Sequence, residues 1–153
     1  MNSLAFPKPT KQEKVRKPLQ ARTRIRRVSK DSFKAKKAKA DRLFSLLIRK
    51  EGRCKIAGLD QIRCNGVLQC MHIITRSNHR LRWDTANALP GCQAHHMYYT
   101  HEPWEWVHLV RECFPDRYEY LNSVRNEPWD KDIDRVLAGL EGVEWAGLHW
   151  NGG

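Results

Sequence analysis

The sequence predicts a small α+β domain, and three features predict it. Two short apolar stretches, Val67–Ile74 and Ala86–Gly91, flank a polar, basic loop and lead directly into a helical pattern over Gln93–His101. Upstream, the segment Asp31–Gly52 has the composition and periodicity of one amphipathic helix. Downstream, Pro103 and Pro115 each stand where a helix begins, and apolar residues recur at helical spacing behind them. The expected architecture is a strand–strand–helix core with helices added on either side.

Taken in order, residues 1–29 contain Pro7, Pro9 and Pro18 among many cations and few large apolar groups. Such a composition cannot bury enough surface to order itself, so a disordered basic arm is expected. The remainder, 30–153, reads as one domain. Within it, 30–51 forms the first helix, capped by Ser29 or Asp31 and stopped at Gly52. Leu43, Phe44, Leu47 and Ile48 give that helix one apolar face, while its first half is cationic and is expected to project toward a polyanion. Residues 52–102 form the core and 103–153 a helical extension, whose last helix is expected over Trp129–Leu140. The aromatics of that extension, and Cys113, read as core. The end, Gly147–Gly153, is expected to fray.

Charge is distributed unevenly. Residues 1–42 carry 15 Lys+Arg against 3 Asp+Glu, and the rest carries 13 against 14, so the net charge of +11 resides in the first segment. A basic arm of this kind suits phosphate neutralisation and salt-dependent binding to nucleic acid. No apolar run is long enough for a membrane span, and the N-terminus lacks the apolar core of a signal peptide. An odd count of 5 cysteines with no export signal points to a reducing, cytoplasmic setting, where metal ligation is favoured over disulfides.

Four of the 5 cysteines and five of the 7 histidines fall between Cys54 and His101. A structural zinc needs four Cys/His ligands, usually as two close pairs. Cys92-x-x-His95, where a turn enters a helix, makes one pair. Cys54 and Cys64 make the other, although 9 residues separate them, a wider gap than usual. Cys70 competes with Cys64 for that place, but it shares a strand face with His72 and so belongs nearer the core.

His72 lies in the first strand, Asn87 follows 15 residues later and His96 another 9 later. An imidazole titrates in the range needed to deprotonate a water, and a second one can hold a divalent cation against a phosphate. With the order His, Asn, His, the sequence resembles the HNH, or ββα-metal, endonucleases. The stretches FSLLIRKEGRC, LQCMHIITR and RWDTANALPGC, between Asp41 and Trp106, are similar to phage HNH nucleases, especially the NinG-like recombination group. The resemblance implies that His72 is the general base, that Asn87 orients it or touches the metal, and that His96 binds a catalytic Mg²⁺ or Mn²⁺. It also implies phosphodiester hydrolysis, as endonuclease or nickase, on branched or nicked DNA in a phage-infected host cytoplasm.

Two departures from the family pattern stand out. Met71 occupies the position before the base where an acid or histidine often ligates the ion. Thr100 stands one turn after His96 where another histidine is usual, leaving the neighbouring His101 as a tentative ligand. In the basic loop RSNHRLRW, Arg76 and Arg82 are candidate phosphate clamps, and His79 and Arg80 candidate DNA contacts. Trp83 reads as packed beneath the loop, with stacking on an exposed base as its alternative. The principal rival to a nuclease is a zinc-stabilised DNA-binding module without catalysis. A zinc-bearing protein–protein adaptor would need neither His72 nor the arm.

Overall fold

A computed structural model describes Ser29 and residues 32–142. The expected disordered arm, a cap at Asp31 and the fraying of Gly147–Gly153 fall outside these residues. The described chain is α+β, with five helices and one antiparallel two-stranded sheet. In order, α1 spans Phe33–Arg49, β1 Leu68–His72, β2 Ala88–Cys92, α2 Gln93–His101, α3 Pro103–Cys113, α4 Pro115–Val124 and α5 Ile133–Gly142. A short 3₁₀ turn, Thr85–Asn87, leads into β2. None of these helices is long and apolar enough to cross a membrane.

Side chains of a strand alternate between its two faces, and this alternation builds two cores. Cys70 and Ala88 face one, where Ala40, Phe44 and Ile48 of α1 meet Ile133, Leu137 and Leu140 of α5. Met71 and Leu89 face the other, among Ile56, Tyr99, Trp106, Leu109 and Val110. The sheet therefore lies between α1 with α5 on one side and α2 with α3 on the other. Its register pairs Leu68 with Cys92 and His72 with Ala88. A Cβ at Gly91 would lie only 1.9 Å from the Met71 sulfur, so the thioether fills the space this glycine leaves open.

Several element boundaries differ from expectation, each for a local reason. The N-cap of α1 is Ser32, whose hydroxyl accepts the Ala35 N–H at 3.3 Å. In the basic half of α1, Lys36 pairs with Asp134 at 2.7 Å and Lys39 pairs with Glu141, both on α5, while Lys34 is exposed. β1 covers only Leu68–His72 of its apolar stretch, and β2 starts at Ala88 because residues 85–87 turn before it. The last helix begins at Ile133 rather than Trp129. Lys131 adopts a left-handed φ of 62°, and the Asp132 carboxylate caps the new helix by accepting the Arg135 N–H at 2.9 Å. Trp104 is 84% exposed and Cys113 is also exposed, so neither is core; Trp106 and Phe114 face inward in their place.

Candidate functional site

The start of α2 brings four potential metal ligands together. Cys54, Cys64, Cys92 and His95 offer three sulfurs and one imidazole nitrogen within 4.8 Å of one another. His95 Nδ1 lies 3.6 Å from Cys54 Sγ, 3.8 Å from Cys64 Sγ and 2.9 Å from Cys92 Sγ. Tetrahedral zinc with ordinary Zn–S and Zn–N bonds would set these edges near ~3.5 Å. The donor set thus fits a metal ion such as zinc, and Cys64 rather than Cys70 completes it. The wide Cys54–Cys64 spacing has a physical reason: the intervening loop buries Ile56 in the second core and supplies Asp60. The Asp60 carboxylate accepts from His95 Nε2 at 3.1 Å and from the Tyr99 hydroxyl at 2.6 Å. It thereby fixes the tautomer that leaves Nδ1 free toward the sulfurs.

Electrostatics of the cluster agree with a cation site. Burial works against the Cys92 thiolate, yet the backbone N–H groups of His95 and Asn65 and the His95 ring outweigh it and hold the thiol down at about 6. Desolvation and the neighbouring Cys54 and Cys92 sulfurs push Cys64 up to about 11. Three crowded sulfurs cannot all become thiolates without a positive charge among them, and a bound metal supplies it.

A second constellation runs along β1 and draws on both α1 and α2. Here a cavity of about 550 Å³ is lined by His72, His96, Arg76, Arg49, Gln69 and Asp41, among others. His72 Nε2 sits 2.9 Å from the Arg82 carbonyl, which can only accept, so Nε2 carries the proton and Nδ1 keeps its lone pair. His96 Nδ1 donates in the same way to Gln69 Oε1, which leaves His96 Nε2 as the lone-pair nitrogen. Both rings are held in the neutral form. Burial lowers the pKa of His72, with Arg76 and Arg82 adding to the shift, and burial followed by Arg76 lowers that of His96. Burial also pushes the nearby Cys70 thiol up to about 12, so it remains an uncharged part of the wall.

The other sequence candidates divide sharply. Asn87 is fully buried, and its amide is used entirely on backbone: Oδ1 accepts from Ile74 N at 2.7 Å, while Nδ2 donates to Ile74 O and Leu81 O at 3.0 and 2.9 Å. Its side chain does not line the cavity; it clamps the loop after β1 through Ile74 and Leu81, the latter next to the Arg82 carbonyl that holds the His72 ring. Arg82 is not a free phosphate clamp. It is buried, bonded to both Asp41 oxygens at 2.8 and 2.6 Å, and donates to the Arg76 carbonyl. Arg80 pairs with Glu127 at 3.0 Å, and the His79 ring packs on Trp129. Arg76 is exposed at the cavity rim. His101 is exposed at the end of α2 and does not line this cavity. Met71 is 2% exposed and faces the second core, away from the histidines.

Asp41, Arg49, Gln69 and Asp60 escaped the sequence reading. Asp41 and Arg49 looked like ordinary polar positions on α1, but with Ser45 they recur at helical spacing on the side facing the cavity. Compared with family models, curated proteins and solved structures, the chain finds no match.

Proposed function

We propose that the protein is a metal-dependent DNA endonuclease or nickase of the HNH type, hydrolysing phosphodiester bonds. The observation that carries this reading is the pair of neutral histidines on one cavity, each with one ring nitrogen held by a carbonyl acceptor and the other left with its lone pair. His72 Nδ1 is the acceptor for a proton from the attacking water. His96 Nε2 is a ligand for Mg²⁺ or Mn²⁺, which when bound supplies charge stabilisation for the phosphate and the leaving oxygen. Arg76 and Arg49 bring two guanidinium groups to the same cavity for phosphate oxygens. The ββα-metal core of the family would correspond to β1, β2 and α2, with the Cys54–Cys64–Cys92–His95 zinc knuckle fixing the start of the helix that carries His96.

The donor set for the catalytic ion fits only in part. Among the described residues, no third His, Cys, Asp or Glu groups with His72 and His96 as a ligand set: Asp41 lines the cavity but both its oxygens bond Arg82, the Cys70 thiol stays protonated, and His101 lies outside it. An ion there would rely on one imidazole, water and substrate phosphate oxygens, a pattern Mg²⁺ tolerates. The same sparseness favours the second reading, a zinc-stabilised DNA-binding module without catalysis.

One experiment separates the two. The purified protein is incubated with supercoiled, nicked and four-way-junction DNA in Mg²⁺, Mn²⁺ or chelator, alongside His72→Ala. Metal-dependent cutting that His72→Ala lowers by on the order of 10²–10⁴ supports the nuclease. Binding without cutting, or cutting unchanged in His72→Ala, moves the binding module to the front.

A further inference from the structure

The loop between β1 and the 3₁₀ turn has a second cavity on its other side. It measures about 530 Å³, inside the usual range for a small-molecule site, and its lining includes His79, Trp83 and Trp129. The Trp129 ring centre lies 5.2 Å from His79 and 5.8 Å from Trp83, so the three rings form one aromatic wall. His79 Nδ1 is buried in this wall and has no hydrogen-bond partner among the described residues. A buried polar nitrogen without a partner is uncommon in a folded protein, and this one lies within the ring packing and not on the open face of the cavity. Arg80 and Arg135 also line the cavity, each held by an acid, Glu127 at 3.0 Å for the first and Asp130 for the second.

Trp83 ties this cavity to the histidine cavity. Its ring lines the first, while its indole N–H donates at 3.0 Å to Asp41, which lines the second. Arg82, the residue before it, supplies the carbonyl that holds His72. One short loop therefore presents an aromatic wall on one side and a phosphate-handling site on the other. The ligand that suits both is a nucleotide whose phosphate belongs to a strand and whose base has left the stack. A flat heterocycle matches the aromatic wall.

We propose that the cavity walled by His79, Trp83 and Trp129 binds a single unpaired nucleobase of a DNA strand. This rests on the DNA-cleaving reading and specifies its substrate: DNA with an unpaired base beside the bond that is cut.

Gly139 provides the test. It lies within α5, lines the cavity, and a Cβ built on it meets no atom within 4 Å. Gly139→Leu therefore starts its side chain in open space at the cavity and narrows it. Full-length protein, without added Mg²⁺ or Mn²⁺, is titrated by fluorescence anisotropy into a short labelled duplex, fully paired or carrying one bulged adenine. The wild type is expected to prefer the bulged duplex by about 10-fold or more, as stacking of one base allows. Gly139→Leu is expected to bring the two affinities together while leaving paired-duplex binding and its melting temperature undiminished. Trp129→Ala, which removes the ring that His79 and Trp83 both pack on, is expected to lower the preference about 10-fold. Equal wild-type affinities, or a preference that survives Gly139→Leu, overturn the proposal even if the protein cuts DNA. A lower melting temperature in Gly139→Leu also overturns it, because the space would then be filled by the protein's own chain. No binding to either duplex overturns the DNA reading itself.

Discussion

Replacing Asn87 by alanine tests whether this residue belongs to the chemistry or to the fold. The side chain is 0% exposed and makes three hydrogen bonds, one from Ile74 N and two to the carbonyls of Ile74 and Leu81. Each such bond contributes about 1 kcal/mol net, and a buried backbone group left unpaired costs about 1–3 kcal/mol. Ile74 is half-buried, so water can recover part of the loss there, whereas Leu81 is fully buried and cannot be reached in the same way. The sum is about 3–5 kcal/mol, or a fall in melting temperature of roughly 10–20 °C for a domain of this size. Urea denaturation of the zinc-loaded protein, followed by circular dichroism, measures it. Asn87→Asp sharpens the test. Its carboxylate would keep the Ile74 N–H but face two carbonyl oxygens, which raises its folded pKa above the ordinary carboxylate value near ~4. The native conformation of that variant is then stabilised below the unfolded pKa and loses this stability as pH rises through the folded value. The reasoning is refuted if Asn87→Ala loses less than about 1 kcal/mol, or if it stays folded and loses only cleavage.

Elemental analysis of protein purified without added metal should find about one zinc per chain, and Cys92→Ser should lose both the zinc and much of the stability. Asp60→Asn should weaken zinc retention about 10- to 100-fold against a chelator, because His95 loses the carboxylate that orients it; unchanged retention would remove Asp60 from the site. Deleting residues 1–29 removes 9 Lys+Arg, so DNA affinity should fall and its salt dependence flatten, with the melting temperature hardly changed. Because burial depresses the His72 pKa, the neutral base should persist below the ordinary imidazole value of about 6.5, and the acid limb of a cleavage profile should lie on that side of it. The stability this histidine confers is present above pH ~6.5 and is lost as pH falls through the depressed value; an acid limb above pH ~7 would contradict a buried base.

The sequence was legible where one local rule decides the outcome. Periodicity and flanking Pro103 set α2 and the start of α3, and the Cys92-x-x-His95 spacing marked the cluster that could hold a metal ion. The errors arose where distant residues decide. Arg82 carries the same charge as Arg76, and only Asp41, 41 residues earlier on α1, makes it a buried strut instead of a surface cation. The hydrogen-bond partners of Asn87 were equally hidden, because the loop must fold back before Ile74 and Leu81 can meet its amide. Trp104 and Trp106 are two residues apart, so on a helix they point in directions about 200° apart, and only one can be core. Gln69 had no signal at all, since its role exists only because β1 passes beside His96.

The two histidines at the start of α2 explain how so small a helix can serve two sites. Neighbouring residues on a helix are rotated by about 100°, so His95 and His96 must face different surroundings. His95 is fully buried and turns to the three cysteines, with Asp60 behind it. His96 is partly exposed and turns to the cavity shared with His72, with Gln69 behind it. The acceptor is anionic behind the ring that meets sulfurs and neutral behind the ring that meets the open cavity. A carboxylate makes the imidazole a stronger donor to a tightly held ion, whereas an amide oxygen fixes the ring without adding charge. Under the proposed nuclease reading, His95 would belong to a permanent ion and His96 to an exchangeable one on the same turn. That difference follows from the two partners, Asp60 and Gln69, and not from the histidines themselves.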